Sequence, residues 1–359
     1  MAREKIDGLR RLLSGALPFP DKGRVFLVDT GLEFLAVEAS AAVGPDRIVF
    51  VERHLGHATG VFPQPALHAA RAEPEAGDMV ILAAGRNRQR LFQDLEYYAK
   101  AVGPSGMIAL FGTRKEGMHP AEDLLQRHGR DIKTTQKGGA RLKVVQPRED
   151  EVDWQLEEHL QSFVIEARQQ RVQVSAVPGV FSWDRLDGGS ALLLESVRTR
   201  EGDRLLDLAC GNGVLTAVLL AEGVISEATL TDADALALSA ARETLTLNGQ
   251  QGEIIASDAG DGLPPKAYDL ILCNPPYHSG SMQERGTGQR MIEQCARLLA
   301  TRGRVLLVAP VFHDHGPELE RLFRSHGVAL ETPSFRVWRA ARPRRQARRT
   351  VPTKKGLAP

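Results

Sequence analysis

The 359-residue sequence predicts an α/β fold made of two tandem, doubly wound domains. Two observations predict it. Short apolar strands alternate with helices from residue 204 to residue 310, and residues 24–112 repeat the same order of elements. Such alternation requires right-handed crossovers, so each sheet is expected to be mainly parallel.

The second repeat shows five predicted strands, of which the fourth is a continuous apolar run typical of a strand buried on both faces. They are RLLDLAC (204–210), ATLTDAD (228–234), EIIASD (253–258), YDLILCNPPY (268–277) and RVLLVAP (304–310). Three of the four segments between them read as helices, two of which end at a glycine stop, Gly223 and Asn248-Gly249.

The first repeat follows the same plan in a degenerate form. RVFLVDTG (24–31), RIVFVERH (47–54) and DMVILAAG (78–85) correspond to the first, second and fourth strands of the later copy. Any two α/β domains look alike at this level, so the pattern alone leaves duplication open. Ala83-Ala84-Gly85 stands where the later copy has Asn-Pro-Pro. This favours a binding or support domain over a second active site.

Charge is distributed unevenly along the chain. The 46 basic and 45 acidic residues nearly cancel, but residues 1–150 carry +3, residues 151–335 carry −11 and residues 336–359 carry nine basic residues and no acid. A basic run attracts polyphosphate, so this tail is a candidate for polyphosphate binding. The alternative is a disordered tail that only aids solubility.

Composition narrows the class of protein. With 42% hydrophobic residues, the chain is unlike collagen, a coiled coil or a disordered protein. It contains no run of eighteen apolar residues and its start lacks the apolar block of a signal peptide. The three cysteines form no CxxC pair, which fits a reducing compartment. We therefore expect a cytoplasmic protein with no membrane partner.

The expected domain boundaries follow from these patterns. They are a degenerate amino-terminal domain (1–146), a linker with one helix (147–176), a catalytic domain (177–338) and a basic tail (339–359).

The first chemical motif is the turn after the first strand of the second repeat, Asp207-Leu-Ala-Cys-Gly-Asn-Gly213. Small residues at Ala209, Gly211 and Gly213 let the backbone turn tightly and let a ligand approach it. The turn resembles the acidic, glycine-rich turn of class I methyltransferases, which holds S-adenosylmethionine. Ala209 departs from that pattern, and a purely structural turn is the alternative.

Two further carboxylates end the next strands. Asp232 can accept hydrogen bonds from ribose hydroxyls, although capping of the following helix is equally natural and Asp234 is the better-placed cap. Asp258 ends the third strand, where this fold usually contacts the adenine amine. Together the three acidic strand ends predict a nucleoside site.

The motif Asn274-Pro275-Pro276-Tyr277 directly follows the buried fourth strand. The prolines fix an extended chain and remove backbone donors. The Asn274 side-chain oxygen and the Pro275 carbonyl could then accept both hydrogens of a planar amino group, and Tyr277 could stack on the attached base. The motif predicts methyl transfer by alignment of an amine.

With VPGVFSWDRLDGGSALLLES (177–196), the NPPYHSG motif closely resembles the RsmC/RlmG family of rRNA guanine-N2 methyltransferases, of the methyltransferase small domain class. The resemblance implies two Rossmann-like class I methyltransferase domains, of which only the second binds S-adenosylmethionine. It further implies that the substrate is a guanine of 16S rRNA, either in the RNA itself or in the 30S subunit. By resemblance, the cofactor is contacted by Asp207, Ala209, Gly211, Gly213, Asp232, Asp258 and Asn274, with Phe181, Ser182 and Asp187 beside it. Asn274, Pro275, Pro276 and Tyr277 would hold the guanine.

Other functions stay open: a 23S rRNA guanine-N2 methyltransferase, an adenine-N6 or protein-glutamine methyltransferase, or a non-catalytic RNA-binding protein. No metal is expected, because no second ligand lies at ligand spacing from His278, and His313 and His315 are expected in a solvated loop. Cys210 and Cys273 are expected to be buried.

Overall fold

The computed structural model describes residues 2–30, 32–55, 67–85, 87–113, 116–148, 161–277 and 282–344, without the side chains of residues 2–6, 282–285 and 287. Two seven-stranded sheets and one two-stranded sheet form among these residues. Helices flank both large sheets. The predicted α/β fold with two tandem doubly wound domains is confirmed.

The amino-terminal half, residues 2–148, contains the first large sheet. Its elements are α1 (Ala2–Leu13), β1 (Val25–Val28), α2 (Glu33–Val43), a 3-10 turn (Pro45–Arg47), β2 (Ile48–Glu52), β3 (Leu67–His68), β4 (Met79–Ala83), α3 (Arg88–Val102), β5 (Met107–Thr113), α4 (Met118–His128), β6 (Gly129–Lys137) and β7 (Ala140–Pro147).

The carboxyl-terminal half, residues 161–344, begins with a hairpin and continues into the second large sheet. Its elements are β8 (Ser162–Ala167), β9 (Gln170–Ser175), α5 (Gly188–Ser196), β10 (Arg204–Leu208), α6 (Val214–Ala221), β11 (Glu227–Asp232), α7 (Ala235–Leu247), β12 (Glu253–Ala256), β13 (Tyr268–Cys273), α8 (Met282–Leu298), β14 (Leu299–Pro310), α9 (Gly316–Leu322), β15 (Phe323–Glu331) and β16 (Phe335–Pro343).

The two large sheets have the same topology. Their strand orders are β3-β2-β1-β4-β5-β7-β6 and β12-β11-β10-β13-β14-β16-β15. In each sheet the first five strands are parallel and the last two run antiparallel to their neighbours. Because β10 lies between β11 and β13, the carboxyl ends of these three strands form one edge. Ligands bind at this edge in open α/β sheets.

Apolar residues on both faces of the sheets form the cores. In β4 the first four residues are buried, and in β10 and β13 all residues but one are buried. Parallel strands covered by helices on both faces require such continuous apolar runs. None of the helices within the described residues is long and apolar enough to cross a membrane.

The β8–β9 hairpin lies in the range predicted to be a linker with one helix. Ile165, Val172 and Val174 are buried in the core of the carboxyl-terminal half, so the hairpin belongs to that half. The sequence shows the reason, since Val172 and Val174 alternate with polar residues as a half-buried strand does. Residues 149–160, which carry the acidic part of the predicted linker, lie outside the described residues.

The carboxyl end of the second sheet also extends further than predicted. β16 continues to Pro343 and pairs with both β14 and β15, so residues 339–343 are sheet residues and not part of a tail. Val337, Trp338 and Ala340 are buried, while the arginines of the strand occupy more exposed positions. Residues 345–359 of the predicted tail lie outside the described residues.

Candidate active site

The turn after β10 has the backbone that its small residues predicted. Ala209, Gly211 and Gly213 all adopt positive φ, at 63°, 54° and 76°. A side chain at Gly213 would lie 3.1 Å from Ala241, so this position also needs glycine for packing against α7. Ala209 adopts a left-handed conformation that costs an L-residue roughly 1–2 kcal/mol. Its departure from glycine is therefore tolerated with some strain.

Asp207 at the end of β10 is a buried carboxylate with one unused oxygen. Its Oδ2 accepts a hydrogen bond of 2.8 Å from the Thr216 hydroxyl, and its Oδ1 is buried without a partner. Burial raises the pKa of Asp207 to about 6. A buried acceptor without a donor is costly, so this oxygen fits a positively charged or N–H-bearing ligand group at the turn.

Asp232 at the end of β11 is tied to the same turn. Its two oxygens accept hydrogen bonds of 3.0 Å from the Gly211 and Asp234 amides. Burial raises the pKa of Asp232, against the effect of these two bonds. Asp234 caps α7 by accepting from the Leu236 amide at 2.8 Å. The capping role thus falls to Asp234, which leaves Asp232 at the strand end facing the turn.

Asp258 follows β12 and forms an ion pair that the sequence did not indicate. The Arg290 guanidinium on α8 lies 2.7 Å from Asp258 Oδ2 and also contacts Asp261. No local pattern marks Arg290, because its partners lie about thirty residues away. The pair fixes the orientation of the Asp258 carboxylate at the edge of the sheet.

The segment before α5 reaches the turn from the other side. Asn212 Nδ2 donates a hydrogen bond of 3.2 Å to the Ser182 carbonyl. Ser182 itself has a positive φ of 51°, and the Phe181 side chain is 45% exposed. The structure thus brings Phe181 and Ser182 next to the glycine-rich turn.

Asn274 follows β13, and its amide is held in one orientation. The amide nitrogen donates to Asp187 Oδ2 at 3.2 Å and to Ser190 Oγ at 3.0 Å. Asp187 caps α5 with the same oxygen, accepting from the Ser190 amide at 2.9 Å. Because both N–H donors of the Asn274 amide are used, its oxygen remains as the acceptor for a ligand. We call Asn274, Asp187 and Ser190 the amide clamp, in which Asp187 acts through Asn274.

Tyr277 is held by two histidines of the loop after β14. Its hydroxyl lies 2.7 Å from His315 Nε2, and its ring stacks on His313 with centroids 4.8 Å apart and planes 27° apart. His315 is buried, and burial lowers its pKa. The prediction that both histidines are solvated was wrong for His315, because a loop that looks polar in sequence folds back onto the motif.

The structure thus gathers most predicted site residues at one edge of the second sheet and adds Ser190, His313, His315 and Arg290. After Asn274 in the sequence, Pro275 is buried and Pro276 is exposed. The predicted burial of Cys210 and Cys273 is confirmed. Within the described residues, no cluster of three or more His, Cys, Asp or Glu side chains could hold a metal ion. His278 lies outside the described residues.

Known proteins are similar to this chain over most of its length. The family model "Methyltransferase small domain" matches residues 171–339. The ribosomal RNA small subunit methyltransferase C of Pseudomonas aeruginosa (strain UCBPP-PA14) is 33% identical over 281 residues, which cover 78% of this chain and 84% of that protein. The protein of the same name from Stutzerimonas stutzeri is 34% identical over 265 residues, covering 74% and 79%.

The chain belongs to the ribosomal RNA small subunit methyltransferase C family. The predicted resemblance and the predicted enzyme class, a methyltransferase, are thereby confirmed. A solved member, the T. thermophilus 16S rRNA N2 methyltransferase RsmC in complex with AdoMet and guanosine, superimposes with a TM-score of 0.74 at 22% identity. The match covers 94% of this chain and 91% of that one, so the family's two-sheet fold extends over both halves.

Proposed function

We propose that the chain transfers a methyl group from S-adenosylmethionine to the exocyclic N2 of a guanine in 16S rRNA. The observation that carries this proposal is the fixed amide of Asn274. With its nitrogen bound to Asp187 and Ser190, the amide presents an oxygen, which can accept a hydrogen bond from an amine and cannot donate one. The names of the family's members specify the RNA, and the clamp explains why the target atom is an amine.

Three strand-end residues would hold the cofactor. The unpartnered oxygen of Asp207 fits a cationic amino group, whose charge would also offset the free-energy cost of burying that carboxylate. Asp232 at the adjacent strand end fits the ribose hydroxyls, and Asp258 lies one strand further, toward the base. When bound, S-adenosylmethionine supplies an activated methyl group on a sulfonium sulfur.

Asn274 aligns the amine of the substrate. The lone pair of the guanine N2 is delocalised into the ring, so the amine is a weak nucleophile. Two acceptors, Asn274 Oδ1 and the Pro275 carbonyl, would fix its two hydrogens and thereby the direction of its lone pair. Alignment and fixed dipoles then supply the rate enhancement without a strong base.

Tyr277 supplies the stacking surface for the base. Its ring already stacks on His313 on one face, and its hydroxyl is held by His315, so the ring has one defined orientation. An oriented ring loses little entropy when a base stacks on it. The guanine must leave its own stack to reach Tyr277, so the enzyme flips its target or acts on open RNA.

The flanking parts of the chain would hold the RNA. Residues 1–150 carry a net charge of +3 and residues 336–359 carry nine basic residues, whereas residues 151–335 carry −11. RNA phosphates are therefore attracted to the flanks and repelled from the acidic half. In this proposal residues 1–146 and the basic tail bind RNA, in the cytoplasm, while the second half performs the chemistry.

Transfer from radiolabelled S-adenosylmethionine tests the proposal. Purified protein is incubated with naked 16S rRNA, naked 23S rRNA, 30S subunits and 50S subunits, all from cells without the endogenous activity, and the modified nucleotide is mapped. We expect label on N2 of one guanine in 16S rRNA, in the free RNA or the 30S particle.

Three outcomes would contradict it. Label on 23S rRNA would change the substrate, and label on adenine or on protein would refute the guanine assignment. Absence of S-adenosylmethionine binding in calorimetry would leave a non-catalytic RNA-binding protein.

A further inference from the structure

The two halves of the molecule meet at the cofactor edge of the second sheet. The Leu55 amide donates to the Ala233 carbonyl at 2.9 Å, and the Ala235 amide donates to the Arg53 carbonyl at 2.8 Å. His68 Nε2 lies 3.0 Å from the same Ala233 carbonyl. These contacts hold the residues that directly follow Asp232. The amino-terminal half therefore contacts the loop that begins directly after Asp232.

A buried group of charges fixes Arg53 in place. The Arg53 guanidinium lies 2.9 Å from Asp29 Oδ2 and 2.9 Å from Asp94 Oδ2, and Arg90 lies 2.8 Å from Asp94 Oδ1. The side chains of Arg53, Arg90 and Asp94 are only 11%, 8% and 4% exposed. Breaking a buried pair leaves an uncompensated charge, so the loss of any one partner is costly. We call Asp29, Arg53, Arg90 and Asp94 the docking cluster.

The docking cluster also supports a second segment of the candidate site. The aliphatic part of Arg90 packs against Gly179, where an added Cβ would lie 3.4 Å from Arg90 Cγ. Gly179 is two residues before Phe181, in the segment that reaches the glycine-rich turn through Ser182 and Asn212. The cluster thus supports both the loop after β11 and the segment before α5.

The register of the strands shows which positions of the second half correspond to the docking cluster. Val51 pairs with Val28 as Thr231 pairs with Leu208, so Glu52 corresponds to Asp232 and Arg53 to Ala233. Asp29, with a positive φ of 48°, corresponds to Ala209 in the turn. Arg53 and Asp29 therefore stand at the amino-terminal sheet's counterpart of the cofactor edge. The two side chains form an ion pair with each other, and Arg53 also pairs with Asp94 of α3. The second half has its ligand-facing turn at the equivalent place.

We propose that Arg53 and Asp94 are positioning residues for cofactor binding, which hold the Asp232–Ala235 loop and so set the affinity for an adenosyl nucleoside. The inference rests on the proposed function for the identity of that ligand. Coupling of this kind is reciprocal, so a bound cofactor must in turn strengthen the docking of the amino-terminal half.

Calorimetric titration of S-adenosylmethionine into full-length Arg53→Met protein tests this. The matched control is Arg304→Met, which breaks an equally buried pair, Arg304–Asp203, at the opposite edge of the second sheet. We expect Arg53→Met to raise the Kd by about tenfold, a typical coupling, and Arg304→Met to leave it within about twofold at a similar loss of Tm. Equal effects of the two variants on the Kd would overturn the inference.

A second variant removes only one contact between the halves. Ala235→Pro deletes the N–H that donates to the Arg53 carbonyl, at the first residue of α7, where proline is well tolerated. Asp234 before it is already extended, at φ −96° and ψ 118°, as a residue before proline must be. We expect a raised Kd with unchanged helix content and Tm. An unchanged Kd would count against the inference.

Hydrogen exchange provides the reciprocal readout. In the parent protein, S-adenosylmethionine should slow exchange of the Leu55 amide, which donates across the contact, and this protection should be smaller in Arg53→Met. Equal protection in the two proteins would overturn the coupling. A parent protein that binds no S-adenosylmethionine would instead refute the proposed function, so the two failures are distinguishable.

Discussion

The two sheets differ at one edge and agree at the other. At the amino ends of the strands, Arg24 pairs with Asp78 in the first half, and Arg204 pairs with Asp269 in the same register in the second. At the carboxyl ends, the pairing of β1 with β4 and of β10 with β13 makes Leu27 the structural counterpart of Asp207. By the same pairing, Ala83 is the counterpart of Asn274. The shared edge holds the scaffold together, and the divergent edge carries the chemistry.

The fold and the activity therefore depend on separate residues. Strand order is the same in both halves and each half has apolar cores on its sheet, although only the second has the acidic turn and the amide clamp. In the first half, the corresponding edge holds paired charges and a contact with the other half. A sheet can therefore lose a ligand site and keep its architecture.

Exchanging residues between the halves gives the largest expected effect. Asn274→Ala should lower methyl transfer by about 10²–10³-fold, the loss typical for a fixed dipole that stabilises a transition state. The affinity for S-adenosylmethionine should stay unchanged in calorimetry. The converse change, Ala83→Asn, should leave transfer unaffected. Full activity in Asn274→Ala would refute the amine clamp, and altered activity in Ala83→Asn would give the first half a role in catalysis.

The buried carboxylate of Asp207 makes the stability of the second half depend on pH. The corresponding residue of the first half, Leu27, cannot titrate. Because burial raises the pKa of Asp207 from 3.8 to about 6, the folded protein binds a proton more tightly than the unfolded chain. The free energy of unfolding should therefore fall as pH rises from about 4 to 6, by about 3 kcal/mol from this group. Denaturant unfolding across this range should show a shallower slope in Asp207→Asn. An unchanged slope would contradict the assignment, since Asp232 alone would then account for it.

A smaller effect is expected from Ser190→Ala, because Asp187 still holds the Asn274 amide. Loss of one hydrogen bond of about 1.4 kcal/mol should lower kcat about tenfold without changing the Kd of S-adenosylmethionine. Ser196→Ala is the matched control on the same helix, since its hydroxyl bonds only the Leu192 carbonyl. Equal kcat values for the two variants would remove Ser190 from the clamp.

Removing residues 345–359 should have the smallest effect on the chemistry. The truncation keeps β16 intact and deletes five basic side chains. Each phosphate contact contributes about 0.7–0.9 to the slope of log affinity against log salt, so the slope should fall by up to about 4. Transfer at saturating RNA should be unchanged. An unchanged slope would make the tail a solubility device.

Elements whose structure is determined by neighbouring residues were predictable from the sequence. The buried run before Asn274 and the small residues after Asp207 carry their own signal, because strand burial and tight turns follow from adjacent residues. The contacts of His315 with Tyr277, of Arg290 with Asp258 and of Arg53 with Asp94 were not predicted. Each joins residues about thirty or more positions apart, and no spacing rule indicates such pairs.

The end of the catalytic half shows the same limit in another form. The segment after Phe335 reads as a basic tail because its arginines dominate the composition. Between them lie Val337, Trp338 and Ala340, which enter the core of the second sheet. These apolar residues were present in the sequence, and the charge obscured them.

The three cysteines give the protein a built-in reporter of partial unfolding. Cys210, Cys273 and Cys295 are all buried, and all lie in the carboxyl-terminal half. Burial raises the pKa of the Cys210 thiol well above its usual range, and the pKa of Cys273 is raised by its contact with Cys295 and by burial. Native protein should therefore resist maleimide, since thiolates are the reactive form. The labelling rate then measures opening of the catalytic half alone, and one added surface cysteine in the other half would accept a fluorophore at a single position.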